Sequence, residues 1–174
     1  MVRVYSPQPG REPGSGLRGG DTRILLVEDN ADYIMLITDA LETRGEGYKV
    51  FGVDSPEKAL DILDREEFDL VLLDYKFPKG NGLEMIRKLK NKETFIPAVM
   101  ITAFGSEEVA IEAMREGALD FLPKTRDFLH ALPNVVRRVL ERSRIIQERI
   151  RTHEALERRN RELSILNRLA TMSA

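Results

Sequence analysis

Five short apolar runs recur between residues 22 and 123, and between them apolar residues return at helical spacing. The most constraining run is Leu70-Val71-Leu72-Leu73, closed by Asp74 and followed by Pro78, Gly80 and Gly82. A continuous aliphatic run bounded by turn residues suits a strand buried on both faces, the usual setting of a parallel sheet. Arg23-Ile24-Leu25-Leu26-Val27 and Pro97-Ala98-Val99-Met100-Ile101 read as strands of the same kind. Tyr48-Lys49-Val50-Phe51-Gly52-Val53 alternates in part, and Ala118-Leu119-Asp120-Phe121-Leu122 closes the series. Asn30 is placed to cap a helix that turns Ile34, Ile37 and Leu41 inward, and Gly45 and Gly47 stop it. Ser55-Pro56-Glu57 opens a second helix, with Ala59, Leu60, Ile62 and Leu63 toward the core. Leu83, Ile86 and Leu89 mark a third. A fourth is capped by Ser106, runs through Ala110, Ala113 and Met114, and ends at Gly117. Strands that alternate with helices in this way predict an α/β three-layer sandwich around a five-stranded parallel sheet with right-handed crossovers.

The ends of four strands carry polar groups of different kinds. In chain order these are Glu28-Asp29, Asp74, Thr102 and Lys124. Taken alone, Asp74 is as well explained as a strand end or a helix cap. Together the four ends say more. With the strands ordered 2-1-3-4-5, the first and third are neighbours at the switch point, where ligands of open α/β sheets bind. Three carboxylates then converge, and such a cluster is strained unless a cation neutralises it. Hard oxygen donors favour Mg²⁺. A threonine hydroxyl and a lysine ammonium beside them suit an incoming phosphoryl group. The carboxylate of Asp74 can then act as nucleophile and become an aspartyl phosphate, with Lys124 stabilising the charge of the transition state.

The absence of cysteine excludes disulfides, thiolate metal sites and thiol chemistry, and fits a cytoplasmic protein. No apolar stretch reaches the roughly 18 residues of a membrane span. Residues 1–21, rich in glycine and proline, read as a disordered leader. Residues 134–174 hold ten arginines and five glutamates, leaving 17 basic and 24 acidic side chains in the rest of the chain. An acidic body therefore carries a basic tail. The arginines lie among glutamates all round the expected helix, without a helix-turn-helix or an aromatic platform, so nucleic acid is not an expected partner.

The motifs Leu-Val-Glu28-Asp29-Asn30, Leu-Leu-Asp74 with Pro78 and Gly82, Ile-Thr102-Ala103, and Gly-Ala-Leu-Asp-Phe121-Leu-Pro-Lys124 resemble the receiver domain of two-component response regulators. The likeness runs over about residues 22–140 and implies a flavodoxin-like fold. It also implies a phosphoacceptor switch rather than an enzyme, limited to self-catalysed phosphotransfer and autodephosphorylation. By that resemblance Asp74 is the phosphoacceptor, and Asp29 binds Mg²⁺ directly, with Glu28 acting through water. The backbone carbonyl of Lys76 is a further ligand. Thr102 and Lys124 sense the phosphoryl group, and Phe121 is the switch aromatic. The donor is then a histidine kinase or a phosphotransfer protein, and the response is remodelling of the face made by the fourth helix, fifth strand and fifth helix. A haloacid-dehalogenase type of phosphohydrolase needs a second Asp two residues after the nucleophile, and Lys76 stands there instead.

Two positions depart from the family's pattern. Thr125 follows Lys124 where the family usually has a proline joined by a cis bond, so this peptide is either trans or strained. Lys76 and Phe104 lie two residues beyond Asp74 and Thr102, where a long and a bulky side chain would shield an acyl phosphate from water and lengthen its life.

The domain reading is a receiver over 22–133 and a helical connector over 134–174. Pro133 is expected to break or kink the chain. From Val135 and Val139 a seam runs through Arg142, Ile146, Arg149, His153, Leu156, Asn160, Leu163, Asn167 and Ala170. It suggests a dimeric coiled coil with a stutter, in which the two asparagines set a parallel register. The connector resembles those that lead to sensor or kinase domains, as in an N-terminal receiver of a larger signalling protein. The competing reading is a dimerisation or scaffold module that works without phosphorylation.

Overall fold

The computed structural model describes residues 21–43, 47–103 and 107–172. Residues 1–20, Gly45, Phe104 and the expected Ser106 cap lie outside the described residues. The element order is β1 (Thr22–Val27), α1 (Ala31–Glu42), β2 (Tyr48–Val53), α2 (Pro56–Leu63), β3 (Leu70–Asp74), α3 (Gly82–Lys90), β4 (Ala98–Thr102), α4 (Glu107–Glu116), β5 (Asp120–Pro123) and α5 (Phe128–Met172). The strands form one parallel sheet in the order β2-β1-β3-β4-β5, as the alternation predicts.

The pattern of burial explains the composition of each strand. β3 lies between β1 and β4, in register Leu26↔Leu72 and Leu72↔Val99, and all five of its residues are buried. Burial on both faces is why the first four, Leu70 to Leu73, are aliphatic. One face of the sheet packs on α2, α3 and α4 through residues such as Leu25, Val71, Ala59, Ile86 and Ala113. The other packs on α1 and the start of α5 through Ile24, Leu72, Ile37, Leu132 and Val136. Each named cap is a short polar side chain that accepts from helix N–H groups otherwise left unpaired. Asn30 accepts from Asp32 and Tyr33, Ser55 from Lys58, and Asn81 from Leu83.

The amino edge of the sheet is closed by Arg23. Its guanidinium lies 4.9 Å from the ring centre of Phe51 and 4.6 Å from that of Phe68. It pairs with Glu66 and donates to the Glu67 carbonyl at 3.0 Å. The Arg23 N–H donates to Asp69 Oδ2 at 2.7 Å. At one side of the sheet β5 is an edge strand. The Phe121 N–H donates to Asp120 Oδ1 at 2.8 Å, and the Lys124 N–H donates to the Thr102 carbonyl at 2.7 Å. The Thr125 N–H donates to the Pro123 carbonyl at 2.8 Å.

Of the break or kink expected at Pro133, the break does not occur: α5 runs through the proline. A proline inside a helix costs about 3 kcal/mol through the lost hydrogen bond and the ring's clash with the preceding turn. Against that, Leu132, Val135, Val136 and Val139 are all buried among sheet residues, and each such burial is worth about 1.5–3 kcal/mol. Packing outweighs the local rule. The chain divides into two compact units, Met1–Leu140 and Glu141–Ala174. In the second unit, residues 151–170 are exposed along their whole length, including Leu156, Leu163, Leu166 and Leu169.

Candidate functional site

The carboxyl edge of the sheet gathers the expected residues. Glu28 directly follows β1, and its N–H donates to the Val53 carbonyl at 2.9 Å. Asp74 ends β3 opposite Ile101. Carboxylate oxygens of Glu28, Asp29 and Asp74 lie within 4.8 Å of one another. Glu28 and Asp74 are buried, at 2% and 9% exposure, while Asp29 is open to solvent.

Lys124 enters this cluster from the loop after β5. Its Nζ is 2.6 Å from Glu28 Oε2 and 3.1 Å from Asp74 Oδ2. The Lys124–Thr125 peptide is trans, which resolves the alternative left by the sequence without loss of the ion pairs. The other Asp74 oxygen, Oδ1, accepts from the Tyr75 N–H at 2.7 Å. The Asn30 N–H donates to Glu28 Oε1 at 3.1 Å. Burial pushes the Glu28 carboxyl above its ordinary range. The neighbouring Asp74 charge adds to this rise, and the Lys124 ammonium and the Asn30 N–H oppose it.

Thr102 ends β4, fully buried, and its carbonyl anchors the Lys124 backbone. Phe121 is partly buried against the core on the α2, α3 and α4 side. Lys76 is exposed and faces Asn81 across an isolated antiparallel bridge, closed by the Gly82 N–H on the Tyr75 carbonyl at 2.7 Å. This bridge depends on Gly82 having no side chain. A Cβ there would sit 2.3 Å from the Asp74 carbonyl oxygen and 3.1 Å from Leu73 Cγ. The loop can return to the strand end only if the backbone itself makes the contact.

One residue at this edge escaped the sequence analysis. The ring centre of Tyr33, in the first turn of α1, lies 4.2 Å from Lys124 Nζ. A polar-tipped aromatic one helical turn after Asp29 was the available signal.

The donor set suits a hard divalent cation. Three carboxylates meet with one ammonium to balance them, and among the described residues no imidazole or sulfur joins the group. Mg²⁺ prefers such oxygen ligands.

Residues 24–134 match the family described as response regulator receiver domain. The chain is 35% identical over 118 residues to the response regulator protein FleR of Pseudomonas aeruginosa, covering 68% of this chain and 24% of FleR. It is 39% identical over 102 residues to the transcriptional regulatory protein CpxR of Escherichia coli, covering 59% of this chain and 42% of CpxR. It is also similar to the crystal structure of a signal receiver domain from Vibrio parahaemolyticus, with a TM-score of 0.67 and 26% identity, over 73% of this chain and 95% of that one. The chain thus spans less than half of the length of these curated relatives. Names such as transcriptional regulatory protein give no support to the expectation that excludes nucleic acid. No described helix is long and apolar enough to cross a membrane. With the sheet order, the acidic edge and the match over residues 24–134 in agreement, the chain belongs to the response regulator receiver domain family.

Proposed function

We propose that Asp74 accepts a phosphoryl group from a histidine kinase or a phosphotransfer protein in the cytoplasm. The observation that carries this reading is the placement of a buried carboxylate, Asp74, 3.1 Å from a buried ammonium, Lys124, at the carboxyl edge of the sheet. An Asp74 oxygen attacks the phosphorus of a phosphohistidine. The P–N bond breaks as the P–O bond forms, and the imidazole leaves and takes up a proton from solvent. The Lys124 ammonium offsets charge on the phosphoryl oxygens, and the Thr102 hydroxyl donates a hydrogen bond to one of them. Asp29 and Asp74 would hold Mg²⁺ directly, Glu28 through water, and the Lys76 carbonyl as a further ligand. When bound, the ion supplies neutralisation of the phosphoryl charge. Beyond this transfer and the hydrolysis of the aspartyl phosphate to inorganic phosphate, the reading gives the chain no enzymatic activity.

On the same reading, Thr102 and Phe121 rearrange on phosphorylation, and the face of α4, β5 and α5 passes the change on. The exposed Leu156, Leu163, Leu166 and Leu169 support pairing of the distal helix in a homodimer as the recipient of that change. They equally favour the second reading, a dimerisation module that needs no phosphorylation.

Intact mass after incubation with acetyl phosphate and Mg²⁺, with light scattering on the same samples, separates the two. A single Mg²⁺-dependent phosphoryl adduct on the wild type and none on Asp74→Asn is the expected result. A dimer in every condition, with no adduct, would leave the scaffold reading.

A further inference from the structure

The loop from Lys124 to Phe128 makes two separate contacts with one side chain. At its start, Lys124 Nζ lies 4.2 Å from the Tyr33 ring centre. At its end, the ring of Phe128 meets Tyr33 edge-on, with centroids 6.1 Å apart and planes at 64°. The loop is drawn together by the Phe128 N–H, which donates to the Thr125 carbonyl at 3.2 Å. Tyr33 is itself fixed from the other side of the site. Its N–H donates to Asn30 Oδ1 at 3.4 Å, and the Asn30 N–H donates to Glu28.

These contacts answer a problem the sequence poses. A lysine stem is long and flexible, and its ammonium hydrates strongly. Yet the Lys124 side chain is 2% exposed. Two carboxylates attract it, but charge attraction alone sets no direction for a rotatable ammonium. An aromatic face beside a partly desolvated cation adds both attraction and a wall. Phe128 is buried and opens α5, so the ring that meets Lys124 is braced by the first residue of that helix.

We propose that Tyr33 is a positioning residue for Lys124, and that with Phe128 it clamps both ends of the loop, tying the ammonium at the phosphoryl site to the start of α5. The proposal rests on Asp74 being the phosphoacceptor. It assigns Tyr33 no contact with the phosphoryl group.

The test uses the full chain with lysine labelled with ¹³C at the ε-carbon, so that the ring current on Lys124 is read without any phosphodonor. Tyr33→Phe keeps the ring and should keep both the shifted Lys124 resonance and the rate of phosphorylation by acetyl phosphate with Mg²⁺. Tyr33→Leu should lose the shift and slow phosphorylation about two- to tenfold. Phe128→Leu should fall between them. Tyr33→Met, which keeps the bulk, replaces Tyr33→Leu if that variant does not fold. A Lys124 resonance or a rate unchanged by removal of the ring would overturn the proposal. A wild type that takes no phosphoryl group, although its Lys124 resonance responds to Tyr33, would instead overturn the phosphoacceptor reading and the reaction role of Tyr33 with it.

Discussion

The two ends of the sheet solve the same packing problem with different charge balances. At the amino edge, the Arg23 cation lies against two rings and pairs with Glu66. At the carboxyl edge, the Lys124 cation lies against the Tyr33 ring, but it meets Glu28 and Asp74 with Asp29 close by. The first pairs the guanidinium with Glu66 and gives Asp69 a backbone N–H, and it contributes stability. The second carries surplus negative charge, which raises the free energy of the fold until a cation arrives. A local conflict of this kind, set in a sheet that is otherwise consistent, is the mark of a site kept for chemistry.

The contrast can be broken or sharpened in four ways, from the largest expected effect to the smallest. Gly82→Ala forces a methyl group onto the Asp74 carbonyl and should cost about 3 kcal/mol in urea unfolding. A cost under about 1 kcal/mol would mean that the loop yields and the edge is not tightly built. Arg23→Met removes a paired cation and should cost about 2 kcal/mol, with or without Mg²⁺. Asp74→Asn should have the opposite sign. In Mg²⁺-free buffer it should stabilise the fold by about 1 kcal/mol, and it should abolish the rise in Tm that Mg²⁺ gives the wild type. A loss of stability there would erase the distinction between the two edges. The last effect is a dependence on pH. The Glu28 carboxyl holds its proton more tightly in the fold than in the unfolded chain. Its favourable contribution is therefore complete below the ordinary value of 4.5 and is lost as pH rises through the folded value. Wild type measured against Glu28→Gln in Mg²⁺-free buffer should lose stability as pH rises, and a flat difference would contradict the shift.

Those same residues show what the chain discloses before it folds. The position of β3 was legible because Leu70–Leu73 is apolar at every position, which is what burial on both faces demands. The acidic edge was legible because a polar or charged side chain stands where four of the runs stop, and the parallel topology brings strand ends together. Arg23 was read only as the first residue of a strand, since its partners Phe51, Glu66 and Phe68 come from other elements. Tyr33 was missed for the same reason, because Lys124 reaches it only once β5 is in place beside β4. A break at Pro133 was among the expectations because the proline rule is local, whereas Leu132, Val135 and Val136 answer to a sheet far away in sequence. Contacts set by the tertiary fold leave no periodicity to read.

The departure at Thr125 bears on how the sheet can associate. The Lys124 N–H points toward β4, so the backbone groups of Phe121 and Pro123 face the open side of β5. An exposed edge of this kind normally invites another strand to add to it. Here the Phe121 N–H is taken by Asp120, Pro123 has no N–H, and the Pro123 carbonyl is taken by Thr125. A proline at position 125 would have left that carbonyl without its donor. The edge thus offers an incoming chain no free donor at either outward position, which guards a parallel sheet against growing by strand addition.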